Sequence, residues 1–253
     1  MREEDTIIHF TCLQQPHAGA WLNVVPVPAL GLHLRASEFV PVVKLRLGMQ
    51  VFSSAGACPA CNAPSDLLGD HALCCATDGT RISRHNALRD ALHATAVASA
   101  IGATKENQHL LPGSSRKPAD VMLPYWTGGK DTAWDITVVH PLQASMVARA
   151  AITPGHGAQE AFKRKWKAAG DQCLQEGIVF VPLALESLGG WHEDAVREVK
   201  KLGGALARNT GAEESTCVRH LFQRLSILLV KGNSALVVNR EPESLHTVID
   251  GIP

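Results

Sequence analysis

The sequence has no net charge: 24 lysines and arginines balance 24 aspartates and glutamates over 253 residues. Whole-chain electrostatics therefore gives no reason to invoke nucleic acid, and any such partner must be argued from local clusters. No apolar run approaches the roughly 20 residues that cross a bilayer, so no membrane partner is expected. The opening MREEDTIIHFTCLQQ carries charges where a signal peptide needs an apolar core, so an intracellular protein is expected. Internal repeats and low-complexity tracts are absent as well. With 45% hydrophobic and 19% charged residues, the composition excludes a chain disordered throughout. The length allows one large domain or two smaller ones.

Cysteine is not scarce: there are seven, four of them crowded between Cys58 and Cys75. In an intracellular protein these read as metal ligands plus free thiols rather than a disulfide framework. Cys58-Pro-Ala-Cys61 supplies two thiolates from one tight turn, and His71 with Cys75 closes a four-ligand, structural zinc sphere. Cys74 competes for the fourth place; the His-x-x-x-Cys spacing favours Cys75. Redox chemistry by the C-x-x-C pair lacks a thioredoxin-like strand and helix around it.

Four regions are expected. Residues 1–55, with Pro16, Pro26, Pro28 and Pro41, read as a linker with a short helix over Glu38 to Leu47. Residues 56–80 form the zinc finger, 81–240 the main domain and 241–253 a tail. In the main domain, Ser83 is a candidate N-cap for a helix from Arg84 to Ile101, whose face is Leu88, Ala91, Leu92, Thr95 and Ala98. Strands are expected at Thr104 to Leu111, Ala119 to Tyr125 and Thr132 to Val139, split by the turn signals PGSS and TGGK. A helix from Ala158 to Glu176, a strand from Ile178 to Leu185 and two amphipathic helices follow. This order implies an α/β fold with a mixed sheet covered by helices.

Asp120 opens the second strand and Asp135 lies in the third, so a hairpin brings two carboxylates to one end of the sheet, the oxygen-donor geometry that suits Mg²⁺. Glu106, on the first strand, is a further candidate ligand. Two basic clusters flank them: Arg81, Arg84, Arg89, Lys105, Arg116 and Lys117, and then Lys163, Arg164, Lys165 and Lys167. Either is equally a solvated helix face.

The series CPAC, GDHALCC, RHNALRDAL, KPADVMLPYW, AWDITVVHP, FVPLALESLGGW and HLFQRLSILL resembles, in that order, the region downstream of the reverse transcriptase in non-LTR (LINE-type) retrotransposon proteins with a restriction-like PD-(D/E)XK endonuclease. The similarity covers about residues 39 to 238. It implies a restriction-endonuclease-like αβββαβ core after the zinc finger, and Mg²⁺-dependent nicking of double-stranded target DNA, with RNA a second possible partner and a nuclear location. The family's motifs fall on Cys58, Cys61, His71 and Cys75; on Arg84, His85 and Asn86; on Lys117, Pro118 and Asp120; and on Asp135. Ala119 separates proline from aspartate, and Thr137 stands where the broader superfamily places lysine. The resemblance implies that this lysine has moved to the following helix. There Lys165 borders the face of Ala158, Phe162, Trp166, Ala169 and Cys173, while Lys163 and Lys167, on the other flank, are phosphate contacts or solvated charges. Arg84, His85, Arg116 and Lys117 join them as expected DNA contacts. No reverse transcriptase core lies within these residues. A catalytically inactive nucleic-acid-binding module and a decayed element are the alternatives.

Overall fold

The computed structural model describes residues 3–106, 111, 119–143 and 145–242. Its centre is a hairpin. Strand β4 (Val121–Thr127) pairs antiparallel with β5 (Lys130–Val139) through Gly128 and Gly129. Both glycines hold positive φ, the combination a two-residue hairpin turn requires. Strand β3 (Thr104–Lys105) pairs antiparallel with β4, and β6 (Val179–Glu186) lies parallel to β5. The sheet order is β3-β4-β5-β6, mixed in direction. The parallel step from β5 to β6 needs a long crossover, which α5 (Val147–Ala150) and α6 (His156–Gln175) supply.

Alternation along the strands sorts the two faces. Val121, Leu123, Trp134, Ile136, Leu183 and Leu185 point into a core closed by α4 (Thr80–Ala98), α7 (Glu193–Thr210) and α8 (Glu214–Val238). Met122, Ala133 and Phe180 point the other way, against Cys173 of α6, and Val139 and Ala184 meet Ala158 and Ala161 of the same helix. Trp134 is fully buried, its indole N–H donating to Glu198 Oε2 at 3.0 Å; deleting such a side chain costs roughly 3–5 kcal/mol. The order α4, β3, β4, β5, α6, β6 is the expected succession, interrupted only by the short α5.

Several expectations are corrected. The segment read as a linker belongs to the same body. It contains α1 (Glu3–Leu13) and α2 (Ala36–Arg46); Ile8 and Cys12 are buried beside Ala150, and Trp21 and Val42 pack on Ile227 and Val230 of α8. Helix α4 starts at Thr80, capped by Gly79 in the left-handed region rather than by Ser83, and it ends at Ala98, where Ala100 turns the chain at φ +58°. Among the described residues the first strand is paired over Thr104 and Lys105; 107–110 and 112–118 lie outside them, so its expected length to Leu111 falls partly there. Most of the tail, 243–253, lies outside them too. Finally, α8 is long and apolar enough by composition to cross a membrane, yet 61% of its most apolar window is buried against α4, α7 and α2, as in the core helix of a folded domain.

Candidate metal centre and carboxylate cleft

The cysteine turn is built locally. A two-residue pair, β1 (Gly56–Ala57) with β2 (Pro64–Ser65), brackets it. The Asn62 amide donates to Cys58 O and the Cys58 amide to Ala63 O, both at 2.8 Å, with Asn62 at positive φ. Asp66 then accepts from the amides of Leu68, Asp70 and His71 at 2.9, 3.0 and 2.8 Å, fixing the start of α3 (Asp70–Cys74). Gly69 precedes that helix at φ +83°, where a Cβ would meet Val51 at 2.7 Å. The Cys75 amide donates to His71 O, so His71 and Cys75 face the same way one turn apart.

As a result, donor atoms of Cys58, Cys61, His71 and Cys75 all lie within 4.8 Å of one another, a set able to hold one metal ion and compatible with zinc. Cys74 points elsewhere, and burial pushes its thiol up to about 12. Cys75 is drawn down to about 6: burial opposes this, but hydrogen bonds from Arg240 and Thr77 outweigh it. Arg240 is a residue that sequence patterns did not single out. It follows α8, 165 residues from Cys75, and is fully buried; besides the Cys75 sulfur it reaches Thr77 O at 2.7 Å and Asp78 Oδ1 at 2.9 Å. The turn that follows α8 thus clamps the fourth candidate ligand.

A second link ties this unit to the sheet. His140, just past β5, contacts Asp70 Oδ1 through Nε2 at 3.0 Å and Ser187 Oγ through Nδ1 at 2.6 Å. The trio has the residue types of an acyl-transfer triad, but Ser187 is 2% exposed, so no substrate carbonyl reaches its hydroxyl. It is a structural tie.

The carboxylates meet because of register. Val121 pairs with Trp134, so the next pair along the ladder is Asp120 with Asp135, on the face that α6 covers. The Asp120 amide donates to Trp134 O at 2.8 Å, and Asp120 Oδ2 accepts from the Ile136 amide at 2.6 Å. Its Oδ1 meets His85 Nε2 of α4 at 3.0 Å. Lys165 Nζ of α6 reaches Asp135 Oδ1 at 2.9 Å, and the Asp120 carboxyl is close enough to Asp135 for the two to influence each other's charge. Burial pushes Asp135 up to about 6; Lys165 opposes the rise and Asp120 adds to it. For Asp120 burial acts upward, but His85 and the Ile136 amide hold it below the usual carboxylate range. The pair therefore has one carboxyl that stays ionised and one that releases its proton near pH 6.

The structure therefore brings Asp120, Asp135 and Lys165 together and adds His85, which sequence reasoning had placed on DNA. Lys163 pairs with Glu160 at 3.0 Å on an exposed flank, and Lys167 is exposed too. Trp166, expected on the buried face, is 38% exposed. The carboxylate of Glu106 pairs with Arg89. Arg116, Lys117 and Pro118 lie outside the described residues. Arg84 lies deeper than an open groove contact would: its side chain runs beneath Gly232 of α8, and Nη1 donates to Asn233 Oδ1 at 2.7 Å. A signal for this existed, since at 100° per residue Arg84 shares the stripe of Leu88, Ala91 and Thr95. No protein-family model matches the chain, and no curated protein is significantly similar to it.

Proposed function

We propose that the chain is a metal-dependent DNA endonuclease whose core is restriction-endonuclease-like and whose Cys58, Cys61, His71 and Cys75 hold a structural zinc ion. The supporting observation is the convergence of Asp120, Asp135 and Lys165 at one end of the hairpin, from β4, β5 and α6. Two adjoining carboxylates are hard oxygen donors of the kind Mg²⁺ takes, and burial gives Asp135 a reason to accept a dication in place of its proton. When bound, Mg²⁺ would polarise the phosphoryl group and lower the pKa of a water. The chain's own residues do the rest. His85 and the Ile136 amide fix the Asp120 carboxylate. Lys165 sits where negative charge develops and fills the place left by Thr137. Exposed Lys163 and Lys167 on the same helix are phosphate contacts for double-stranded DNA.

Thr137 in place of a strand lysine favours a second reading, a nucleic-acid-binding module without catalysis. One experiment separates them: purified protein with supercoiled plasmid, with and without Mg²⁺. Nicking that needs the metal and vanishes in Asp120→Ala is expected; binding without cleavage in Mg²⁺ or Mn²⁺ rejects the enzyme.

A further inference from the structure

Three arginines are buried among the described residues: Arg84, Arg89 and Arg240. Two have anions at hand. Arg89 pairs with Asp90 and Glu106, and Arg240 with Asp78 and the Cys75 sulfur. Arg84, 3% exposed, has neither. Its Nη1 donates to the neutral amide of Asn233, and among the described residues its Nε has no hydrogen-bond partner and no carboxylate lies within ion-pair distance. The charged side chains that act on it, Arg81 and Arg240, are cations. Even so, desolvation lowers Arg84 only to about 10, so it stays protonated at neutral pH.

An unpaired buried cation is among the most expensive arrangements in a protein interior, because it gives up its hydration without a counter-charge, and it persists where something else supplies that charge. Arg84 is not sealed in. It lines a cleft with Arg81 and His85 of α4, Thr137 of β5 and Lys165 of α6, and two of these, His85 and Lys165, contact Asp120 and Asp135. Only a small or protruding anion reaches a guanidinium at that depth, and a fork of N–H donors matches a tetrahedral oxyanion.

We propose that this cleft binds a phosphate group, with Arg84 as its buried anchor and Arg81 at its rim, next to the carboxylates Asp120 and Asp135. This deepens the nuclease reading and rests on it only for the source of the phosphate: a phosphodiester of the DNA substrate, held beside the bond that is cut.

The test uses the full zinc-loaded chain in thermal unfolding, titrated with inorganic phosphate against chloride at constant ionic strength. Phosphate should raise the midpoint of the wild type, since a ligand of the folded state alone stabilises it. Arg84→Met should weaken phosphate binding at least tenfold while unfolding in chloride no earlier than the wild type, because it removes a charge that lacked a partner. Arg81→Gln, a half-buried rim change that leaves the core intact, should weaken it several-fold. A wild type that ignores phosphate overturns the site, as does an Arg81→Gln response equal to wild type together with an Arg84→Met that melts early in chloride. A second arm adds a short DNA duplex. Competition with phosphate supports the phosphodiester, and phosphate binding that duplex never displaces overturns that source. Plasmid nicking is scored separately: phosphate binding without nicking rejects the nuclease and leaves the phosphate site standing.

Discussion

Asp135→Asn should make the protein more stable at neutral pH while abolishing nicking. Asp135 titrates at about 6 in the folded chain, against 3.8 for an ordinary aspartate. Below about pH 4 the group is protonated in both states and contributes nothing. As pH rises, the unfolded chain releases this proton first, so folding loses stability across the interval from about 4 to 6 and the loss is complete above it. At 1.36 kcal/mol per unit the full loss is roughly 3 kcal/mol. Two terms reduce what the variant recovers: Lys165 loses its ion-pair partner, and Asp120, no longer beside a charge, changes its own titration. A net gain of about 1 kcal/mol, or about 2–4 °C in midpoint, is the expectation at pH 7.5. The assay is thermal or urea unfolding of both proteins from pH 4.5 to 7.5. The stability difference should be smallest at the acid end and grow towards neutrality. A difference that stays flat with pH, or an Asn variant weakest at pH 7.5, would refute a desolvated, proton-sharing Asp135.

Cys61→Ser and Cys75→Ser should release zinc, measured with a colorimetric chelator, whereas Cys74→Ser should retain it; the reverse pattern would displace Cys75 from the ligand set. Arg240→Met should lower zinc affinity about ten- to a hundredfold in chelator competition, since it removes the group that orients Cys75, and unchanged affinity would reduce Arg240 to a packing residue. Lys165→Ala should slow Mg²⁺-dependent nicking by about 10²-fold, clearly more than Lys163→Ala or Lys167→Ala, and equal effects for the three would remove Lys165 from the reaction.

What was legible in the sequence was local. The zinc set was visible because four donors fall within 18 residues and need only a turn, an Asp66 cap and one helical turn to converge. The carboxylate pair was visible because a Gly-Gly turn joins their strands as a hairpin, although Asp120 meets Asp135 only through a register shift between Leu123 and Thr127 that the sequence did not announce; Lys165 was visible because helical phase places it at the border of a buried face. What was hidden depended on distant contacts. Residues 1–55 show little apolar patterning because their buried groups are scattered, and several, such as Ile8, Trp21 and Val42, meet partners more than a hundred residues away. Helix α8 escaped notice as a long apolar element because Ser226, Asn233 and Ser234 interrupt it, yet all three are buried, and Asn233 joins α4 to the end of the sheet through Arg84 and Ser187 O. Arg84 shows the difficulty most sharply. In a basic stretch it reads as a surface charge, while its helical phase puts it among Leu88, Ala91 and Thr95. Phase was the better guide, because a helix packed on both α8 and the sheet buries whatever lies on that stripe, and composition carries no information about which way a side chain points. An arginine in phase with a core stripe and without an acid to meet it is therefore the residue whose counter-charge has to be sought, and at Arg84 the proposed phosphate supplies it.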